Sequence, residues 1–167
     1  MYGDHWIDTA ELDSWCISIE KVVGGFLWLG FSETEPWKML CISSDKTTIF
    51  DCDNGIVTET DCAYDEDALF ALCEDLNDEQ ITIAGQYGGS LPQTSPQGDK
   101  VTCERRNVFE YGKDLVRERV FFCTEEGTKH EIYEGYLPYI YGFSHDGNYF
   151  VFAQDAGLTV LKRKNQH

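Results

Sequence analysis

Apolar residues recur along this chain in short runs cut off by Gly, Asn, Asp or Ser, and that rhythm constrains the fold more than anything else in the sequence. Residues 15–23 (Trp-Cys-Ile-Ser-Ile-Glu-Lys-Val-Val) alternate and are rich in β-branched and aromatic types. Gly24-Gly25 ends that run and 26–31 returns. Residues 38–43 and 47–52 flank Ser44-Asp45-Lys46, and Asp53-Asn54-Gly55, with an Asn-Gly pair that favours positive φ, leads into 56–59. Further runs lie at 81–84, 101–105, 107–111 and 115–124, then, past the hairpin turn Glu126-Gly127-Thr128, at 130–134, 136–143, 149–153 and 158–162. The reading is mainly β within α+β: roughly ten strands in antiparallel sheets, forming a sandwich or curled sheet, in one domain over 1–167.

One stretch breaks the period of two. In 65–76, Ala68, Leu69, Leu72, Cys73 and Leu76 fall on one helical stripe. Asp65, Glu66 and Asp67 stand where the positive end of the helix dipole would be. The spacing predicts one main helix here, with Asp67 and Glu74 seven apart on its outer face. Residues 85–100 collect glycines, prolines and small polar side chains and read as the longest loop.

Charge is distributed unevenly. The net charge is −17, and residues 1–99 carry all of it: 20 acids against Lys21, Lys38 and Lys46. Residues 100–167 hold 10 acids and 10 bases. Residues 47–99 contain 12 carboxylates and no Lys, Arg or His. Such a field repels nucleic acid and steers basic proteins toward the surface. The bland reading of the same charge is solubility. Arg105, Arg106, Arg117 and Arg119 form the one internal basic cluster, too small against −17 for a nucleic-acid patch, and alternation places Arg117 and Arg119 on one strand face beside acidic neighbours.

Seven cysteines (16, 41, 52, 62, 73, 103 and 123) include no Cys-x-x-Cys pair, and most sit in apolar runs. That pattern implies reduced, mostly buried thiols and a cytoplasmic setting rather than a disulfide framework. No apolar run approaches the roughly 18 residues of a membrane span. Four scattered histidines (5, 130, 145 and 167) lack ligand spacing, and Asp51-x-Asp53-x-Gly55 lacks the Glu that completes a calcium loop. Cys123 and His130 are the nearest approach to a nucleophile and base. No metal, cofactor or enzymatic activity is expected. Among the dense tyrosines Tyr133, Tyr136, Tyr139 and Tyr141, packing is favoured over an interface role.

Gly30-Phe31-Ser32 recurs as Gly142-Phe143-Ser144, each followed by a strand, an Asp-containing turn and a strand. The second copy, Ser144-His145-Asp146-Gly147-Asn148 and the strands after it, resembles half a blade of a WD-repeat β-propeller, with His145 where that family has proline. The first copy keeps Ser32 but has Glu33-Thr34-Glu35-Pro36 in place of the Asp-Gly turn. The resemblance covers about 40–45 residues in two pieces and implies local topology. A closed propeller, needing at least four blades of about 40 residues, is not expected in this length.

Taken by type, a small acidic chain without a catalytic constellation resembles bacterial toxin-immunity proteins. That resemblance implies a binding protein that blocks a basic toxin domain of nuclease type. The alternatives are a propeller-related adaptor and a DNA-mimic inhibitor. The expected partner surface comprises Asp51, Asp53, Asp65, Glu66, Asp67, Glu74, Asp75, Asp78 and Glu79. The oligomeric state is left open.

Overall fold

A computed structural model describes residues 7–155 and 157–164. His5 and His167 lie outside them. The strands are β1 (Trp15–Lys21), β2 (Phe26–Phe31), β3 (Lys38–Ser43), β4 (Thr47–Asp51), β5 (Ile56–Thr60), β6 (Cys62–Asp65), β7 (Phe70–Cys73), β8 (Gln80–Thr82), β9 (Ala84–Gly85), β10 (Lys100–Glu110), β11 (Lys113–Cys123), β12 (Lys129–Tyr136), β13 (Ile140–Phe143), β14 (Tyr149–Gln154) and β15 (Gly157–Arg163). They form four antiparallel sheets, ordered β1-β15-β14-β13, β5-β4-β3-β2-β9, β6-β7-β8 and β10-β11-β12. No sheet closes on itself. The chain is mainly β, as the alternation implies, but in four smaller sheets rather than one sandwich.

Three apolar clusters join these sheets in series. Phe31, Met39 and Phe50 meet Val151, Leu158 and Val160, packing β5-β4-β3-β2-β9 on β1-β15-β14-β13. Phe150, Phe152 and Leu161, on the far face of that second sheet, meet Val101, Val120, Phe122 and Ile132 of β10-β11-β12. Trp28, Leu40 and Ile42 face the other way and meet Ala71, Cys73 and Ile81 of β6-β7-β8. The two central sheets are covered on both faces, so inner strands such as β14, Tyr149-Phe-Val-Phe-Ala, read as unbroken apolar runs, whereas outer strands such as β7 and β12 alternate. Each fully buried Phe of this set contributes about 2–3 kcal/mol of transfer free energy.

The two Gly-Phe-Ser segments occupy matching places. Each ends the first strand of a meander, with Phe31 and Phe143 buried and the Ser N–H donating to the first carbonyl of the next strand, Lys38 O at 3.0 Å and Tyr149 O at 2.9 Å. Glycine is required because another backbone crosses there. A Cβ on Gly30 would lie 2.3 Å from Thr82 O, and one on Gly142 2.8 Å from Pro92 O.

The expected helix over 65–76 is absent. β6 and β7 form a hairpin there, and only Glu74–Leu76 makes a 3-10 turn. Asp65 Oδ1 accepts the N–H groups of Asp67 and Ala68, and Leu69 turns at φ 59°, which closes the hairpin. Ala71 and Cys73 then point into the Trp28 cluster while Leu72 is exposed, a period of two. A short helix with acids at its C-terminal end is marginal alone, and packing against β2 and β3 decided for the strand.

Candidate partner-binding surface

Without the helix, Asp67 and Glu74 stand at opposite ends of β7, and no continuous carboxylate ridge exists. The nine expected acids fall into three turns. At the β4–β5 turn, Asp51 Oδ1 accepts the N–H groups of Asp53 and Asn54 at 3.0 Å, and Gly55 follows at φ 75°. Asp53 accepts the Tyr149 hydroxyl at 3.3 Å, and Lys162 Nζ lies 3.9 Å from its carboxylate. At the β6–β7 turn, Asp65 closes the hairpin, Glu66 accepts the Trp28 indole N–H at 3.4 Å, and Asp67 is exposed.

The third group lies between β7 and β8. Asp75 accepts the Thr60 hydroxyl at 2.6 Å, while Glu74 and Asp78 are exposed. Glu79 serves another purpose. It accepts the Ser32 hydroxyl at 2.5 Å, the Thr34 hydroxyl at 2.7 Å and the Glu33 N–H at 2.7 Å. Burial alone would push its carboxyl up, but those bonds hold it below the usual carboxylate range. In the second Gly-Phe-Ser segment the equivalent acceptor is local: Asp146 takes the Ser144 hydroxyl at 2.7 Å. Glu79 therefore supplies, from a distant turn, the carboxylate that the Glu33-Thr34-Glu35-Pro36 sequence lacks.

Asp45, Glu59 and Asp61 were not among the expected site residues. With Lys46, Thr47, Thr60 and Cys62 they line a hollow of about 400 Å³ beside the third group. Their convergence depends on the β4–β5 pairing, which sets Thr60 opposite Thr47 and brings Asp61 to the Asp45-Lys46 turn. Of the 12 carboxylates in 47–99, only Asp53 and Asp99 have a cationic partner among the described residues. Asp99 is buried, bound to Arg163 at 2.5 Å, and ties the 86–99 loop to β15.

Three of the four arginines of the basic cluster are ion-paired in place, and Arg106, opposite Arg117, forms no ion pair among the described residues. Arg117 bridges Glu134 and Glu110, Arg119 bridges Glu131 and Glu104, and Arg105 binds the buried Glu118 at 2.6 Å, whose second oxygen accepts the Tyr141 hydroxyl. Tyr133, Tyr139 and Tyr141 pack on Phe152, Phe26 and Phe152; Tyr136 lies under Arg117. His130 stands opposite Phe122, on the other strand face from Cys123, and its ring meets Glu11 and Thr128. All seven cysteines are free. Cys41, Cys52 and Cys73 are buried, Cys16, Cys62 and Cys123 half-buried, and Cys103 exposed. Burial pushes the Cys41 thiol up to about 12. No group of three or more His, Cys, Asp or Glu among the described residues is arranged to hold a metal ion, and no described helix is long and apolar enough to cross a membrane. The chain matches no protein-family model and no curated protein sequence.

Proposed function

We propose that this is a binding protein whose acidic half covers a basic surface on a partner protein, in the manner of an immunity protein on a nuclease-type toxin domain. The observation that carries the reading is the set of unneutralised carboxylates: Asp67, Glu74 and Asp78, with Glu59 and Asp61, have no cationic partner among the described residues. They form two patches. Asp67 stands on the β6–β7 turn. Glu74, Asp78, Glu59 and Asp61 gather at the other end of that hairpin. Asp51, Asp65 and Glu79 act in this reading as turn-holding residues, and Asp53, Glu66 and Asp75 contribute charge from partly engaged positions.

The test pairs the protein with a basic nuclease-type domain encoded beside it and follows association at low and physiological salt. The on-rate is expected to fall about tenfold or more as salt rises. Reversing Glu74 and Asp78 to Lys, and separately Asp67, tells which patch meets the partner; one of them should slow association about tenfold with an unchanged β-sheet spectrum. Unchanged rate and affinity in both variants overturns the assignment. A DNA-mimic would instead compete with duplex DNA for a DNA-binding protein. An adaptor reading is favoured by one observation, the exposed Phe109 and Tyr111 at the tip of the β10–β11 hairpin, and predicts association insensitive to salt.

A further inference from the structure

β6 and β7 pair from Cys62↔Cys73 to Asp65↔Phe70. Two bonds on the other side of β7 fix which way its residues point. The Ile83 N–H donates to Leu69 O and the Asp78 N–H donates to Cys73 O, so residues 69, 71 and 73 bond away from β6. Cys62 and Cys73 are therefore a non-hydrogen-bonded antiparallel pair. In such a pair the α-carbons stand about 4.5 Å apart, inside the roughly 4.4–6.8 Å that a disulfide spans.

A proton route leads out from the buried member. The Thr60 hydroxyl gives its one proton to Asp75 Oδ2 at 2.6 Å, so toward Cys73 Sγ, 3.2 Å away, it can only accept. The Cys73 S–H has two acceptors in reach, Thr60 Oγ1 at 3.2 Å and Asp61 O at 3.6 Å, and the first leads on to an exposed carboxylate. Cys62, half-buried, is the member that a reagent can reach. Burial first, then Cys73, Asp75 and Asp61, push its thiol above the ordinary range.

We propose that Cys62 and Cys73 are a dithiol that a small disulfide, preferentially a cationic one, oxidises to a cross-strand bridge clamping the edge strand β6 onto β7. The Cys62 thiol loses its proton to solvent base, and its sulfur attacks the reagent's S–S bond. A mixed disulfide forms and one reagent thiol leaves. The Cys73 sulfur then attacks the Cys62 sulfur, its proton passing through Thr60 to Asp75, and the second reagent thiol leaves. Two protein thiols are oxidised and one external disulfide is reduced to two thiols. The acids Glu59, Asp61, Glu74 and Asp75 around the pair favour a cationic reagent over an anionic one.

The test uses the full chain carrying Cys103→Ser, which removes the exposed thiol, with cystamine as the probe and intact mass and peptide mapping as readouts. The expected product has lost two hydrogens, links 62 to 73, forms faster as pH rises from 7 to 9, and forms about tenfold or more faster with cystamine than with oxidised glutathione. Cys73→Ser should hold a lasting cysteamine adduct on Cys62, Cys62→Ser should give neither bridge nor adduct at 73, and Thr60→Val should let the adduct accumulate before closure. An adduct that persists on Cys62 in the parent protein, a bridge between other cysteines, or no reaction across that pH range overturns the proposal. Equal rates with the two reagents overturn the charge preference.

Discussion

The β6-β7-β8 and β10-β11-β12 sheets sit at the two ends of the series of packed sheets, and both are rich in carboxylates, yet they treat charge in opposite ways. On β10-β11-β12 the acids stand at cross-strand positions facing arginines, so Arg117 and Arg119 each meet two carboxylates and the face is neutral. Around β6-β7-β8 the acids stand in turns. There a carboxylate accepts backbone N–H groups, as Asp65 does, or points into solvent, as Asp67 does, and neither use cancels its charge. The placement of acids, more than their number, makes one end of the molecule neutral and the other strongly negative.

Three carboxylates of the acidic stretch sharpen that comparison. Asp99 is the exception that behaves like the neutral end. It is 2% exposed, accepts the Glu125 N–H and the Ser95 hydroxyl, and holds Arg163, which also stacks on Trp15 at 4.4 Å. Asp99→Ala leaves a largely buried guanidinium unpaired and should cost about 3–5 kcal/mol, read from the urea midpoint. A loss below about 1 kcal/mol would show that the pair does not anchor the 86–99 loop.

Glu79 is intermediate. Replacing it with Gln weakens three hydrogen bonds at a partly solvated site, and about 1–2 kcal/mol is expected. Its folded-state carboxyl lies below the ordinary value of 4.5, so its stabilisation is complete above that pH and is lost as pH falls through the folded value. The gap between wild type and Glu79→Gln in denaturant midpoint should therefore be full at neutral pH and close in acid. A gap that is independent of pH would mean that the carboxylate charge plays no part.

Asp67 is at the far extreme. Asp67→Lys should change stability by no more than about 0.5 kcal/mol, and in the stabilising direction at low salt, because it relieves repulsion rather than breaking a contact. A larger loss would reveal a structural role that its exposure does not suggest.

Much of the strand layout was legible because a strand's side chains alternate, and turns such as Asp53-Asn54-Gly55 and Glu126-Gly127-Thr128 announce themselves by residue type. The misread segment shows the limit. Residues 68–76 satisfy a helical stripe and a strand alternation equally well, since Ala71 and Cys73 can point inward on a strand while Leu72 points out. Of the surface, the concentration of charge was legible and its arrangement was not. Asp67 and Glu74 share a helix face only if there is a helix, and Asp45, Glu59 and Asp61 converge only after β5 pairs with β4.

By itself, the sequence determined the β character, turns such as Asp53-Asn54-Gly55 and Glu126-Gly127-Thr128, and the one-sided charge, because each depends on neighbours within a few residues. Tertiary structure alone decided the order of the four sheets, the hairpin at 62–73, the meeting of Cys62 with Cys73, and the service of Glu79 to Ser32. Each of these needs groups brought together across a turn or from distant parts of the chain, and burial against a neighbouring sheet outweighs the small local preferences that would otherwise choose.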